Sequence, residues 1–326
     1  MTKIIVDIYG ADGGAELVVR GIARAIKEAD IYPVLVGNEA LTRKIMQENS
    51  IENGAYEVID TDEFITNSQP ATCIFGGCDN SSMALALGKL KEDNEAVALL
   101  SPGSTGALLV GSICRLGLIE GIKFPALLSA LPCAKKDTLL SLVDCGANVD
   151  CSASDLALFA KMGNVFSRCY CGIESPRVGL MSVGREEGKG NNLTREAYEK
   201  IREADLNFVG NLEGSDLVSG YADVVVADGF SGNILLKNAE AVGKKAMEIV
   251  SEVLKDAPEM AEKVNAELFK TFDFNSQGAA TFLGTRKLIV KMHGSANEDT
   301  VASSVKQILR LVSADFSNEM QKALKK

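Results

Sequence analysis

The stretch Asp223–Lys237 limits most sharply what this chain can fold into. Asp223-Val-Val-Val-Ala227 reads as a buried strand, Asp228-Gly-Phe-Ser-Gly-Asn233 as a turn, and Ile234 onward as a long amphipathic helix. An apolar run of strand length that passes through a glycine-rich turn into a helix is half of a parallel βαβ unit. Such a turn places free backbone N–H groups at the carboxyl edge of the sheet, where anions bind. The same arrangement recurs at Ser101–Ala107 and at Gly184–Gly190. Repeated loops of this kind point to an α/β protein acting on a phosphate.

Strand-like and helix-like runs alternate along the whole chain. Strands are expected at Lys3–Ile8, Tyr32–Val36, Tyr56–Ile59, Ala96–Leu100, Ala126–Leu131, Thr138–Asp144, Arg177–Ser182, Ala222–Ala227 and Lys287–Met292. Helices are expected at Glu16–Glu28, Glu39–Glu48, Ser81–Leu90, Gly106–Leu116, Ser152–Met162, Thr194–Glu203 and Asp299–Gln321. This order predicts a doubly wound, mostly parallel α/β sheet. Within 326 residues no Pro/Gly/Ser-rich linker divides the chain, so a single catalytic unit with two sub-domains sharing one sheet is expected. Ala241–Phe272 stands apart as a helical arm broken near Pro258, with Met260, Val264, Leu268 and Phe272 on one face. That face suits a packed helix pair, a second subunit, a membrane surface or a carrier protein.

Composition removes several classes of function. With 34 basic against 44 acidic residues the net charge is −10, which argues against nucleic-acid binding. The eight cysteines form no C-x-x-C pair and there is one histidine, so neither a zinc site nor a disulfide framework is expected. The uncharged stretch Ala96–Cys114 approaches membrane-span length, but Ser101-Pro-Gly-Ser-Thr-Gly106 interrupts it. The N-terminal residues lack a signal-peptide pattern, and a cytoplasmic protein is expected.

Several residues carry candidate chemistry. Ser104, Thr105 and Gly106 offer hydroxyls and close backbone approach to an anion, without the lysine of a Walker A loop; a plain capped turn is the other reading. Lys189, between two glycines, is placed to reach a phosphate as a point charge unless its loop is only solvated. Asp144-Cys-Gly-Ala-Asn-Val-Asp150 ends a strand, so Asn148 lines a site or caps the next helix. His293, the sole histidine, follows the last strand and precedes Gly294, where a general-acid role competes with a structural one.

Taken together, these motifs identify the chain as similar to the bacterial phosphate acyltransferase (PlsX) family, the acyl-acyl-carrier-protein:phosphate acyltransferases. The resemblance runs through Asp7, Gly10-Ala-Asp12, Asn80-Ser-Ser82, Ser101–Leu108, Pro125-Ala126, Asp144–Asp150, Pro176–Leu180, Gly184–Gly190, Gly210-Asn-Leu-Glu-Gly214, Asp223–Lys237 and His293-Gly-Ser295. It departs from the usual pattern at Ile8-Tyr9, Ala11, Ser104 and Phe124. The resemblance implies an isocitrate/isopropylmalate dehydrogenase-like fold, a homodimer and no cofactor. It further implies transfer of a fatty acyl group from acyl carrier protein to inorganic phosphate for phospholipid synthesis, with peripheral contact at the inner membrane face through 241–272.

Phosphate is already a nucleophile at neutral pH, so the protein needs to hold it beside a thioester carbonyl and stabilise the oxyanion. Lys189, Asn233 and His293 are the expected catalytic residues. Ser104, Thr105, Gly106, Asn148, Asp228, Gly232 and Lys237 are the expected phosphate or substrate contacts, with no metal. A covalent route through Cys145 is the weaker mechanism. Arg20, Arg24, Lys27, Lys123, Lys135 and Lys136 are candidates for docking an acidic carrier. The competing readings are a phosphate acetyl- or butyryltransferase using short acyl-CoA, a metal- and NAD-dependent dehydrogenase holding its metal at Asp223 and Asp228, and a non-catalytic scaffold at the membrane.

Overall fold

The computed structural model describes residues 1–66, 68–133, 138–272 and 279–325, with backbone alone for 269–272. In chain order the strands are β1 (Thr2–Asp7), β2 (Ile31–Gly37), β3 (Glu57–Asp60), β4 (Ala96–Ser101), β5 (Ala126–Pro132), β6 (Leu139–Val143), β7 (Arg177–Met181), β8 (Asn207–Leu212), β9 (Val224–Val226), β10 (Ala280–Leu283) and β11 (Leu288–Lys291). The helices are α1 (Gly14–Glu28), α2 (Glu39–Glu48), α3 (Ser82–Glu92), α4 (Thr105–Gly111), α5 (Ala153–Phe166), α6 (Asn192–Arg202), α7 (Gly229–Val253), α8 (Pro258–Phe272), α9 (Glu298–Ser313) and α10 (Phe316–Leu324).

Two compact units result, Met1–Pro125 with Gly278–Lys326, and Ala126–Gln277. The first unit orders its strands β3-β2-β1-β4-β11-β10, all parallel except the β10/β11 pair. Ile5, Leu99 and Ile289 lie side by side across β1, β4 and β11, followed by Val6, Leu100 and Val290, all fully buried. Continuous apolar runs like these belong to parallel strands covered on both faces. Here α1 packs against α2 and α9, while α3 packs on β1, β2 and β4. The second unit orders β5-β6-β9-β7-β8, parallel except β5/β6. Val224, Val225 and Val226 of its central β9 are fully buried.

Helix starts follow their capping residues. Asn38, Ser81, Ser152, Asn191, Asp228 and Asn297 each accept an N–H from the first turn. Ser104, before α4, makes no such bond.

Four elements differ from the sequence expectation. The run Asp299–Gln321 is two helices, because Asp315 adopts φ +53 and Asn318 Nδ2 donates to its side chain at 2.8 Å. The α4 run leaves α-geometry at Ser112 for a π turn through Leu116. Strands β8 and β10 were not evident: β8 contains Asn207, Gly210 and Asn211 and shifts register against β7, and β10 has only four residues. Asn211 and Gly210 break the apolar period that would have marked β8.

The segment 241–272 falls on two helices, α7 and α8, the first of which continues unbroken from the turn at Asp228. Helices α7 and α8 pack on each other, with Asn265 Nδ2 donating to Ser251 Oγ at 2.8 Å. Val242, Ile249, Val253, Met260 and Val264 remain exposed on the pair. The Phe272 side chain lies outside the described residues. Among the described residues, no helix is long and apolar enough to cross a membrane.

Gly21 tests the α1–α9 packing. A Cβ there would sit 2.5 Å from Val301 Cβ, a branched carbon with no room to swing away. Alanine raises helix propensity by about 0.5–1 kcal/mol, but overpacking costs about 1–3 kcal/mol. Gly21→Ala is therefore expected to lower the urea midpoint at unchanged m-value; a rise would show that the helices separate freely.

Candidate functional site

In the first unit, three adjacent parallel strands each deliver one loop at their carboxyl ends. Asp7 closes β1 and is buried; its carboxylate accepts Ser101 Oγ at 2.8 Å and Tyr9 N at 3.2 Å. Ser101 Oγ in turn accepts Gly103 N at 3.0 Å. At the end of β11, buried Lys291 donates to the carbonyls of Pro102, at 3.3 Å, and Met292. Burial pushes the Asp7 carboxyl up from its ordinary value, and the hydroxyls of Ser82 and Ser101, the Tyr9 N–H and the Lys291 charge only partly offset it. Gly10 has φ +111, and a Cβ there would fall 2.6 Å from Gly103 Cα, so the β1 and β4 loops touch backbone to backbone. Asp12 N donates to Gly294 O at 2.7 Å, which ties the β11 loop to the same edge.

The β4 loop opens onto α4 without a side-chain cap. Leu108 N closes the first turn on Ser104 O at 2.9 Å. The hydroxyls of Ser104 and Thr105, and the N–H groups of Thr105, Gly106 and Ala107, have no partner among the described residues. Unsatisfied donors of this kind suit an anion. His293 is exposed, and its Nδ1 meets Ser295 Oγ at 2.8 Å and accepts Ser295 N at 3.2 Å. Acceptance at Nδ1 places the proton of the neutral ring on Nε2.

The second unit repeats the plan with β6, β9 and β7. Asp144 follows β6 and is fully buried. Its Oδ1 accepts Leu127 N, Gly146 N and Ala147 N at 3.0–3.1 Å, and its Oδ2 accepts Asn148 N and Nδ2 at 2.7 Å. Burial raises this carboxyl, and the N–H donors pull it back. The predicted contact Asn148 thus has one amide proton spent on Asp144, and its carbonyl accepts Gly229 N at 2.7 Å. Asp228 caps α7, accepting Ser231 N and Oγ at 2.8 Å each. Gly232 donates its N–H to Asp228 O at 2.9 Å, and a Cβ on it would lie 1.9 Å from Asp144 O. Its role in the loop is space for the close crossing of 144–148 and 228–233. Asn233 sits beside Gly146, exposed, with no hydrogen-bond partner for its amide among the described residues.

The β7 loop carries Lys189, exposed and without an ion pair among the described residues. Its neighbour Arg185 forks onto buried Asp216, with Nε at 3.1 Å from Oδ2. Lys237, about two turns into α7, pairs with Glu240 at 2.7 Å. Asp223 is gripped by Arg177 through its backbone N–H and guanidinium at 2.8–3.0 Å. Asp223 and Asp228, the dehydrogenase reading's metal ligands, are thus occupied by an ion pair and a helix cap. Of the docking candidates, Arg24 pairs with Glu28 and Asp299, Arg20 meets Glu48 at 3.7 Å, and Lys123 lies over the Phe124 ring. Lys135 and Lys136 lie outside the described residues.

Sequence reasoning did not single out Lys291, Ser101, Arg185 or Asp216. A lysine closing the apolar run Leu288-Ile-Val-Lys291 was the available signal for the first. Cys145 is buried, donates to Leu127 O at 3.1 Å, and its thiol is pushed up to about 12 by burial and by Asp144. A thiol held so high yields little thiolate, which disfavours the covalent route.

Strand-end loops gathered at the carboxyl edge of parallel α/β units give a fold shared with known phosphotransacylases and a dehydrogenase. A phosphotransacetylase from Streptococcus pyogenes aligns with a TM-score of 0.65 at 18% identity, covering 96% of this chain and 94% of that one. A branched-chain phosphotransacylase from Enterococcus faecalis V583 aligns at 0.60 and 16%, covering 96% and 99%. A 4-hydroxythreonine-4-phosphate dehydrogenase from Klebsiella pneumoniae aligns at 0.54 and 14%, covering 95% and 99%. Residues 2–319 match the family described as "Fatty acid synthesis protein". Phosphate acyltransferase of Clostridioides difficile (strain 630) is 37% identical, covering 94% of this chain and 91% of its own, and that of Bacillus cereus (strain ATCC 14579) is 34% identical, covering 99% and 98%. The chain belongs to the phosphate acyltransferase family and is an acyltransferase.

Two measurements check the electrostatics. The Asp216 carboxyl is penalised by burial, yet the Arg185 guanidinium and the Glu213 N–H bring it below 3.8. A depressed carboxyl stabilises the fold above the unfolded-state value and loses that contribution as pH falls through the folded one. Asp216→Asn is expected to cost stability at pH 7 and to lose less than wild type between about pH 4 and pH 2; parallel acid-unfolding curves would contradict this. Alkylation with iodoacetamide at pH 8 should label exposed Cys114 first and Cys145 last.

Proposed function

We propose that the protein transfers a fatty acyl group from acyl carrier protein to inorganic phosphate, forming acyl phosphate for phospholipid synthesis. The observation that carries this is the uncapped start of α4, where two hydroxyls and three backbone N–H groups lack intramolecular partners. Family membership supports the reaction class, and acyl carrier protein as donor is the finer reading.

In the proposed step a phosphate oxygen attacks the thioester carbonyl. A new C–O bond forms, the carbonyl π electrons move onto oxygen as an oxyanion, and its collapse breaks the C–S bond. The sulfur leaves with the electron pair as thiolate and is protonated. Ser104, Thr105 and Gly106 hold phosphate. Lys189 supplies positive charge, and the Asn233 amide donates to phosphate or oxyanion. His293 Nε2–H, which its Ser295 contacts leave protonated, donates a hydrogen bond to the departing sulfur, and the thiolate takes its proton from solvent. A thiol of pKa about 8.5 leaves with little help, so His293 contributes less than the oxyanion donors. Asn148, Asp228 and Gly232 build the loop that presents Asn233, and Lys237 adds charge along α7.

A homodimer is part of the proposal, supported by the apolar side chains left exposed on α7 and α8. The same segment, 241–272, is the candidate for peripheral contact at the inner membrane face. The related reading, a short acyl-CoA donor, uses the same chemistry and is separated by donor choice.

The test is phosphate-dependent release of carrier thiol from acyl-carrier-protein, with acyl phosphate trapped as hydroxamate. Asn233→Ala and Lys189→Ala are expected to lose on the order of 10²–10³ in kcat/KM while remaining folded, and His293→Ala less. Near-normal turnover in the first two would remove the assignment. Turnover with short acyl-CoA alone would replace the donor.

A further inference from the structure

Within the second unit the β7 loop, Gly184–Gly190, has glycine at 184, 188 and 190, so few of its side chains can fix its shape. Its tethers are unequal. Arg185 forks onto Asp216, which is 1% exposed. Glu186 O accepts Asn211 Nδ2 at 2.9 Å, and Asn211 is buried. Glu187 pairs with Arg202 at 2.6 Å, but both partners of that pair are exposed, where an ion pair contributes little.

Asp216 is a fixed point for Arg185. Its Oδ2 also accepts Glu213 N at 2.9 Å, and its own N–H donates to Glu213 O at 2.9 Å, which closes a capping box on the turn Gly214–Leu217. The Arg185 guanidinium also lies over the Tyr221 ring, 5.6 Å from its centroid. A planar fork gripped by both carboxylate oxygens has a set orientation, which a single ammonium in its place would lack.

The loop passes this constraint to Lys189. Lys189 N donates to Glu186 O at 3.0 Å, the same carbonyl that Asn211 holds. The Lys189 stem lies across Gly184, where a Cβ would fall 3.1 Å from Lys189 Cγ and 3.5 Å from Cδ. Gly184 is joined to Arg185, so the guanidinium fixes the surface on which the lysine stem rests. We infer that Arg185, gripped by Asp216, is a positioning residue for Lys189, holding the 184–190 loop so that the lysine presents its ammonium to phosphate. The inference rests on the proposed reaction and on the place of Lys189 in it. A positioning effect differs from a merely stabilising one, because it disappears when the positioned group is removed.

The test is a double-mutant cycle in the phosphate-dependent assay, with whichever donor, acyl carrier protein or short acyl-CoA, the wild type turns over. Arg185→Ala is expected to lose on the order of 10²-fold in kcat/KM, the scale of a catalytic group misplaced by about 1 Å. Arg185→Lys keeps the charge without the fork and should lose nearly as much. In the Lys189→Ala background, Arg185→Ala should cost no more than about twofold further, whereas independent effects would multiply. Urea midpoints of each variant separate lost stability from lost turnover. Removing Arg185 strands a buried carboxylate; if Arg185→Ala does not fold, Arg185→Lys and Asp216→Asn carry the same cycle.

Near-normal turnover of the Arg185 variants beside an impaired Lys189→Ala overturns the inference and leaves the reaction standing. So do losses that multiply in the double variant. A Lys189→Ala variant as active as wild type, or a wild type silent with both donors, removes the proposed reaction and this inference with it.

Discussion

Two buried carboxylates hold the functional edges of this molecule together. Asp7 ends β1 in the first unit, and Asp144 follows β6 in the second. Each sits where a parallel strand gives way to a loop, a place where several backbone N–H groups lose their ladder partners at once. A short acidic side chain turned back on its own loop satisfies them, and it stays buried only because those donors compensate its desolvation. Asp144 gathers Leu127, Gly146, Ala147 and Asn148 in this way, and Asp7 gathers Tyr9 and Ser101. Loops anchored so rigidly can cross at backbone distance, which is why Gly10 and Gly232 have no space for a Cβ.

The two units then treat their helix starts differently. In the second, Asp228 occupies the start of α7 with its own carboxylate, leaving the exposed Asn233 amide as the group turned to solvent. In the first, Ser104 occupies the cap position of α4 without bonding into it. A helix start already neutralised by aspartate repels a bound anion, and one left open by serine attracts it. By this criterion the 104–106 loop is the better suited of the two to an anion, and 228–233 presents a neutral amide.

Part of this was legible in the chain. Apolar runs of strand length and their glycine-rich exits are local features, so α/β class, most strands and the loops at Ser101, Gly184 and Asp228 could be read directly. Failures came where local signals conflict with tertiary ones. Strand β8 carries Asn207, Gly210 and Asn211, and only its pairing with β7 makes it a strand. The left-handed Asp315 splits a helical period that reads as continuous.

What the sequence determined by itself was the kind of fold, the family and the positions of the glycine-rich strand exits, because periodicity and motif order survive without knowledge of contacts. Tertiary structure alone decided how each loop residue is used. That Asp228 is a cap, Asp223 an ion-pair partner, Cys145 an inert buried thiol and Ser104 an unspent hydroxyl depends on which neighbours lie within hydrogen-bond reach. Those neighbours, and the Asp216 carboxylate that Arg185 forks onto, come from residues distant in the chain. Partner identity sets the protonation, exposure and availability of each group, and no local spacing encodes it.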